Sequence, residues 1–261
     1  MALPVGLRKR VSAWLHGDPE AAPVGVEAEA AAPKEGDSAA GRQVVDMRGV
    51  SDVMGRYLAT ARENAEGGLL DIEAPIEAMA EELGLATPKY GDPAVVMDLE
   101  TLALRSAPIF LVGMLDLSTG RVRQTLAADY AGEVEMLTVA AATLREGLAV
   151  ITYNGTTFDL PYLRERMAYW RLGALETGEH RDLLRVLRAM KTGRPSLKLT
   201  AVEEWMLGRV RAADVDGAEL PERYKEFVDG GVGEILAPAL AHNLMDLWSC
   251  AEIHALLKAE G

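Results

Sequence analysis

Hydrophobic and polar residues change their pattern along the chain near residue 93. Beyond that point three short apolar runs follow one another: AVVMDLE at 94–100, PIFLVGMLDL at 108–117 and RVRQTLAAD at 121–129. Apolar runs of this length, bounded by turn-forming residues such as the STG at 118–120, predict β-strands. Because the connections are short, we expect three strands that run antiparallel to one another.

A helix, a fourth strand and further helices are expected after these strands. Residues 132–147 carry apolar side chains at helical spacing and end in a glycine. The core positions of that helix are Val134, Leu137, Ala141 and Leu144. The run LAVITYNG at 148–155 is apolar on both faces, which predicts a buried central strand, and a helix is expected over about 159–172. This order predicts an α/β fold, a mixed sheet of three antiparallel strands plus parallel strands that is covered by helices.

The chain before residue 93 has a different composition. Residues 18–42 consist mainly of Ala, Glu, Pro and Gly, which cannot bury enough apolar surface to fold, so we expect a disordered linker. Residues 1–17 predict a short amphipathic segment, either a frayed terminus or a peptide that docks on a protein partner. Apolar residues at helical spacing predict a helical extension at 43–92. The principal domain is therefore expected at 93–261.

Composition narrows the expected environment. Hydrophobic residues make up 49% of the 261-residue chain, enough for a core of ordinary size. Cys250 is the sole cysteine, which excludes an internal disulfide and a cysteine-built zinc site and favours a reducing compartment. The sequence shows no signal-peptide pattern and no apolar run long enough to span a membrane. We therefore expect a soluble, cytoplasmic protein.

Two carboxylates lie one residue apart where the first predicted strand ends. The side chains of Asp98 and Glu100 face the same side, because strand residues alternate between the two faces of a sheet. Ligands of open α/β sheets collect beyond the carboxyl ends of the strands. Carboxylates this close repel each other, and a divalent cation relieves the repulsion. The alternative is a surface turn at which both acids are solvated.

Three further residues are candidates to join this pair. Asp159 opens the helix after the fourth strand, close to the same sheet edge, although an acid at that position also serves as a helix cap. His242 and Asp246 are four residues apart, which places both on one face of a late helix. Taken alone, His242 would be interpreted as an ordinary core or surface histidine.

The order of these motifs resembles that of a known nuclease family. The motifs D-x-E at 98–100, N-G-x-x-F-D at 154–159 and H-x-x-x-D at 242–246 resemble the DEDD exonucleases, the DnaQ-like branch of the ribonuclease H fold. The finer resemblance is to the YprB-type ribonuclease H-like exonuclease domain, and it covers about residues 93–258. It implies 3′–5′ hydrolysis of phosphodiester bonds in DNA or RNA with two divalent cations, Mg²⁺ or Mn²⁺.

The resemblance also implies a role for each residue of the site. Asp98 would bridge the two cations. Glu100 and Asp246 would complete the first cation site, and Asp159 would serve the second, partly through water. His242 would accept the proton of the attacking water. The residues expected beside the nucleic-acid strand are Thr101, Leu102 and Asn154.

Two features depart from the family pattern. The sequence DLETLAL at 98–104 lacks the glycine that shapes the floor under the terminal nucleotide in D-x-E-T-T-G-L. In addition, His242 precedes Asp246 by four residues. DnaQ-like enzymes with histidine generally use a spacing of five, whereas four is the spacing of the branch with tyrosine in that role. The first departure concerns the floor under the terminal nucleotide, and the second concerns the base. The four acids match the family pattern.

A basic stretch is the candidate surface for nucleic acid. The chain has a formal charge of −13, which argues against a surface that is basic throughout but permits a local groove. Between 180 and 198, six basic residues accompany a single acid, Asp182. The six are Arg181, Arg185, Arg188, Lys191, Arg194 and Lys198. We expect them to contact the phosphates of single-stranded or 3′-ended DNA or RNA, the alternative being a solvated helix face.

Two other functions are compatible with these motifs. A protein that retains the fold without catalysis would bind nucleic acid or act as a scaffold, but the complete set of four acids favours an enzyme. A junction resolvase or another endonuclease of the same superfold fits less well, because the ordered motifs favour attack from an end. The sequence therefore predicts a hydrolase, a 3′–5′ exonuclease of the DEDD type.

Overall fold

The structure, a computed structural model, describes residues 42–65, 67–104, 106–144 and 148–259. The predicted segment at 1–17, and the predicted linker at 18–42 except for Arg42, lie outside the described residues. The strands are β1 (Gln43–Asp46), β2 (Leu69–Pro75), β3 (Ala94–Thr101), β4 (Ile109–Asp116), β5 (Arg121–Ala127), β6 (Ala149–Thr152), β7 (His180–Asp182) and β8 (Arg209–Ala212). The α-helices are α1 (Met47–Glu63), α2 (Ile76–Leu83), α3 (Glu133–Leu144), α4 (Asp159–Tyr169), α5 (Leu183–Ala189), α6 (Leu199–Val202), α7 (Leu220–Val228) and α8 (Ala237–Ala259). A π-helical turn, Glu203–Leu207, continues α6.

The main sheet has six strands in the order β2–β5–β4–β3–β6–β7. Strands β3, β4 and β5 pair antiparallel, whereas β6 pairs parallel with β3 and β7 pairs parallel with β6. The predicted α/β class, three antiparallel strands and additional parallel strands in one mixed sheet, is therefore confirmed.

Helices bury the central strands on both faces. Every residue from Ile109 to Leu115 in β4 is buried, which explains why that run is apolar without alternation. Helix α3 packs on β4 and β5, and α8 packs on β3, β4 and β6. The α8 side chains that are fully buried include Leu240, Leu244, Leu247 and Trp248. Of the helices in the described ranges, none combines the length and apolar character needed to cross a membrane.

The region at 43–92 differs from the predicted helical extension, because it contains two strands as well as two helices. In β2, Leu70, Ile72 and Ala74 are buried and alternate with exposed acids, so the period is that of a strand. β2 pairs antiparallel with β5 at the edge of the main sheet. β1 pairs parallel with β8 in a separate two-stranded sheet, and α1 packs against α8. The helical prediction missed these strands because their pairing partners lie far along the chain.

Candidate active site

Asp98 and Glu100 lie at the carboxyl end of β3 and face the same side of the sheet. Leu99, between them, is buried, while both acids are half-buried. The pairing of β3 with β4 shifts register between Glu100 and Thr101, so the strand becomes irregular directly after the two acids. The hydroxyl of Thr101 donates to the carbonyl oxygen of Ala103, which starts the turn that follows.

Asp159 reaches the same edge from the neighbouring strand. β6 runs parallel to β3, and the chain leaves its carboxyl end to begin α4 at Asp159. The N-cap of α4 is Phe158, which makes no capping hydrogen bond, so the structure does not support the alternative of Asp159 as a helix cap. Asp159 is buried, with 3% of its surface exposed.

His242 and Asp246 project from one face of α8. His242 Nε2 lies 3.9 Å from Asp246 Oδ2, as expected for residues one helical turn apart. On its other side, His242 Nδ1 lies 3.1 Å from both carboxylate oxygens of Asp214. An ionised carboxylate can only accept a hydrogen bond, so Nδ1 carries the proton and Nε2 is left as the basic nitrogen of neutral His242.

Electrostatic interactions link the four acids to one another. Burial raises the pKa of Asp98 well above its usual value, and the charges of Asp246, Glu100 and Asp159 raise it further. Burial also raises the pKa of Glu100, again with contributions from Asp246 and Asp159. Burial and the charge of Asp182 raise the pKa of Asp159 to about 7, although backbone hydrogen bonds partly offset them. Without a cation, these shifts favour the protonated forms of the three carboxyl groups.

A buried arginine, Arg211, is the cation nearest these acids among the described ion pairs. Its side chain is 2% exposed, and its Nη2 lies 2.6 Å from Asp246 Oδ1. The guanidinium also forms hydrogen bonds with Glu203, which is fully buried, and its Nη1 lies 3.3 Å from Asp214 Oδ2. Arg211 comes from β8, which the sequence analysis did not predict. No local pattern in the sequence identifies Arg211 or Asp214 as part of the site, because each lies about 30 residues before the residue it contacts, Asp246 and His242 respectively.

His242 is affected by opposing influences. Burial lowers its pKa, but the hydrogen bond to Asp214 and the charges of Asp246 and Asp214 outweigh burial and raise the pKa to about 8. The pKa of Asp214 moves the other way. Burial raises it, but the contacts with His242 and Arg211 dominate and hold it below its usual value.

The donor set fits a hard divalent cation in chemistry. The four acids offer oxygen ligands, which Mg²⁺ and Mn²⁺ prefer, and their negative charge exceeds what Arg211 neutralises. Within the described part of the chain, however, no three His, Cys, Asp or Glu side chains are arranged as ligands of one ion. Asn243 donates a hydrogen bond to Asp98 Oδ2. Arg211 forms an ion pair with Asp246 Oδ1. Two of the four acids that would hold a cation, Asp98 and Asp246, thus contact protein donors in this structure.

The six basic residues of the 180–198 stretch divide into groups. Arg181 forms an ion pair with Glu179, at 3.0 Å between Nε and Oε1. Arg188 and Lys198 line a depression of about 530 Å³ together with Asn154 and Tyr153. The others, Arg185, Lys191 and Arg194, are exposed.

Asp182, the acid inside the basic stretch, has a structural task. It is buried at the N-cap of α5, where its side chain accepts hydrogen bonds from two backbone amides of the helix. The same carboxylate accepts from the backbone amides of Asn154 and Thr156, at 2.9 and 3.0 Å. It therefore ties the start of α5 to the loop that leads from β6 to Asp159.

A six-stranded mixed sheet of this topology, covered by helices, is a ribonuclease H-like fold. A family model of the RNase_H superfamily matches residues 95–258, and the chain belongs to that superfamily. Membership supports nuclease activity, and ribonuclease H-like nucleases generally use divalent metal ions.

Two known proteins are similar to parts of this chain. One is the uncharacterized protein YprB of Bacillus subtilis (strain 168), 32% identical over 109 residues that cover 41% of this chain and 26% of YprB. The other is the family B DNA polymerase of the hyperthermophilic archaeon Pyrobaculum calidifontis. Its structure matches with a TM-score of 0.51 at 17% identity, over 62% of this chain and 24% of the polymerase. The chain thus spans about a quarter of either protein, and the polymerase likeness shows a shared fold.

Proposed function

We propose that this protein is a metal-dependent exonuclease that hydrolyses phosphodiester bonds of DNA or RNA from the 3′ end. The observation that carries the proposal is the convergence of Asp98, Glu100, Asp159 and Asp246 on one edge of the sheet, from three different elements. Such a concentration of half-buried and buried acids is unfavourable for folding, because the carboxylates repel one another. Bound divalent cations would offset this repulsion, and perturbed acids of this kind are typical of functional sites.

Each acid has a task in this proposal. Asp98, whose pKa responds to the charges of the other three, would contact both cations. Glu100 and Asp246 would complete one cation site, and Asp159 would hold the second. Two bound Mg²⁺ or Mn²⁺ ions supply Lewis-acid activation of water and neutralise charge on the leaving oxygen. Because the acids bind cations only when ionised and the pKa values of Asp98, Glu100 and Asp159 are raised, cations compete with protons for these groups.

His242 is the proposed proton acceptor. Its Nδ1 proton is held by Asp214, so the lone pair of neutral His242 is on Nε2, the nitrogen next to Asp246. Asp214 is thus a positioning residue that selects the tautomer and orients the ring. With a pKa of about 8, a substantial share of His242 is neutral only at mildly alkaline pH.

The strand that is cleaved would approach along the side of the site where Asn154, Arg188 and Lys198 line one depression. Phosphates in this depression would be bound by the two cationic side chains and the backbone of the loop after β6. Thr101 and Leu102, in the irregular end of β3, would contact the terminal nucleotide. Arg181 is a weaker candidate, because Glu179 already pairs with it.

The direct test uses labelled substrates. Purified protein with Mn²⁺ or Mg²⁺ is expected to shorten 3′-ended strands one nucleotide at a time, with the 5′ label retained on progressively shorter products. Asp98→Ala is expected to abolish that activity. Activity of the Asp98→Ala variant equal to that of the unmodified protein would contradict the proposal, and internal cleavage at early times would instead indicate an endonuclease. A panel of single-stranded DNA, duplex DNA and RNA identifies the preferred substrate.

A second candidate function is a ribonuclease H-like protein that binds nucleic acid or acts as a scaffold without catalysis. The ion pair between Arg211 and Asp246 favours this candidate, because it engages an oxygen that a cation would otherwise use. Thermal melting distinguishes the two. A functional cation site is expected to raise the melting temperature with Mn²⁺ relative to chelator, whereas a scaffold is expected to show no response.

A further inference from the structure

A chain of buried amide side chains leads from the middle of the protein to Asp98. Asn243 on α8 has no exposed surface, and its Nδ2 donates to Asp98 Oδ2 at 2.8 Å. The same nitrogen lies 3.3 Å from the Asp98 carbonyl oxygen. Asn243 Oδ1 accepts from Nε2 of Gln124, at 2.7 Å, and Gln124 is also fully buried.

The direction of these hydrogen bonds is determined at the end remote from Asp98. The second proton of Gln124 Nε2 is donated to the carbonyl oxygen of Leu240 at 2.9 Å. Because the carbonyl of Leu240 can only accept, it fixes the amide nitrogen of Gln124 on this side. The Oε1 of Gln124 is left without a partner among the described residues. Because Gln124 presents a donor to Asn243, Asn243 must present its oxygen to Gln124 and its nitrogen to Asp98.

The absence of a side chain at Gly113 leaves room for the contact between Asn243 and Asp98. Gly113 in β4 lies directly opposite Asp98 in β3. A Cβ atom at position 113 would lie 2.0 Å from Asn243 Oδ1 and 2.8 Å from its Cγ. Any other residue there would displace the Asn243 side chain. Residues from β3, β4, β5 and α8 thus combine to place one amide donor on one oxygen of Asp98.

We propose that Asn243 is a positioning residue that holds Oδ2 of Asp98, so that Asp98 binds cations through its other oxygen. The inference rests on the proposed function, since it assigns Asn243 a task toward the same cations. A neutral amide suits this task because it orients an ionised carboxylate without adding a charge that would compete with a cation. It contrasts with the partner of Asp246, which is the charged guanidinium of Arg211.

The same observations explain why two amides are buried here at all. Burying polar groups is unfavourable unless each is satisfied, and the unpartnered oxygen of Gln124 remains an uncompensated cost. An apolar pair of similar size would fill the space between β5 and α8 without that cost. What an apolar pair cannot provide is a hydrogen-bond donor at Asp98.

The test compares cation affinity with stability in variants of the full chain. Asn243→Leu removes the donor and keeps the volume, and it is expected to weaken Mn²⁺ binding about 10–100-fold, measured by isothermal titration calorimetry. Thr125→Val is the matched control. It removes another buried hydrogen bond, from the Thr125 hydroxyl to the carbonyl oxygen of Val112 at 3.3 Å, and should leave Mn²⁺ affinity unchanged.

A second variant retains Asn243 and removes the residue that orients it. Gln124→Leu is expected to weaken Mn²⁺ binding by about tenfold, at the low end of the range for outer-shell partners. Unchanged Mn²⁺ affinity in a folded Asn243→Leu protein would overturn the inference and leave the proposed function intact. If Asn243→Leu does not fold, unchanged affinity in Gln124→Leu has the same meaning. Absence of Mn²⁺ binding in the unmodified protein would overturn the proposed function, and the inference with it.

Discussion

His242 and Asp214 form a hydrogen-bonded pair in which the imidazole Nδ1 lies 3.1 Å from each carboxylate oxygen. The pair joins α8 to the loop that follows β8, and Arg211 contacts the same carboxylate from the end of β8. Asp214 therefore determines the tautomer of His242 and, together with Asp246, raises its pKa against the effect of burial. The proposed base thus depends on a carboxylate that is not itself one of the proposed cation ligands.

The first prediction concerns the pH dependence of activity. Since His242 must be neutral to accept a proton, activity is expected to increase with pH through the pKa of His242 and then level off. That pKa is about 8 without metal, and bound cations lower it, so the midpoint is expected below 8. Asp214→Asn removes a charge that raises the pKa of His242, so the midpoint should move to lower pH. The measurement is the initial rate against pH at saturating Mn²⁺. An unchanged midpoint in Asp214→Asn would show that His242 does not control the profile.

The second prediction concerns the size of the contribution of His242. His242→Ala is expected to lower the turnover by about 10²–10⁴-fold, the usual range for a general base, while Mn²⁺ binding persists. His242→Tyr is expected to retain more activity than the alanine variant. The spacing of four residues to Asp246 is the one found in the DnaQ-like branch that has tyrosine in the role of the base. Near-normal turnover in His242→Ala would mean that His242 only packs beside the site.

The third prediction concerns stability without metal. The pKa values of Asp98, Glu100 and Asp159 are raised in the folded protein, so these groups bind more protons in the folded state than in the unfolded state, and their contribution to stability falls as pH rises. For Asp159 the fall extends from its ordinary value of 3.8 to about 7. In chelator, the melting temperature is expected to decrease across this range, and Asp98→Asn should melt higher than the unmodified protein at pH 8. Added Mn²⁺ should stabilise the unmodified protein more at pH 8 than at pH 5. A lower melting temperature for Asp98→Asn at pH 8 would contradict carboxylate repulsion.

The fourth prediction concerns Arg211. Its side chain is 2% exposed and neutralises Glu203, Asp214 and Asp246, so Arg211→Met leaves buried carboxylates without a partner. Removing one member of a buried ion pair typically lowers the free energy of unfolding by about 3–5 kcal/mol. Urea denaturation of metal-free protein measures this loss. Arg56→Met is the control, because the Arg56–Glu82 pair is exposed and its removal should change stability little.

The fifth prediction concerns nucleic-acid binding. Arg188→Glu combined with Lys198→Glu is expected to weaken binding of single strands at low salt. The salt dependence should decrease by about one counterion for each phosphate that the protein no longer neutralises. Arg181→Glu is the matched control, since Arg181 is paired with Glu179 and should contribute less. Fluorescence anisotropy over a range of salt concentrations provides both quantities. Equal affinity in the double variant would place the binding surface elsewhere.

Features that depend on local period could be predicted from the amino-acid sequence alone. Alternation along β3 put Asp98 and Glu100 on one side, and the four-residue spacing on α8 put His242 above Asp246. The order of strands and helices from residue 94 was enough for the mixed sheet, because each element there has its own apolar pattern. The strand β2, with buried residues at every second position, had such a pattern too, but short alternating runs are ambiguous until their neighbour is known.

The residues that surround the acids depend on contacts between remote parts of the chain. Arg211 belongs to a strand that pairs with β1, which lies more than 150 residues earlier, and no local signal predicts that pairing. Asn243 touches Asp98 across 145 residues of sequence and Gln124 across 119, through a gap opened by Gly113. Hydrogen bonds and ion pairs of this kind depend on distances between atoms of remote elements. Period and composition place a side chain on a face, and packing alone determines what it meets there.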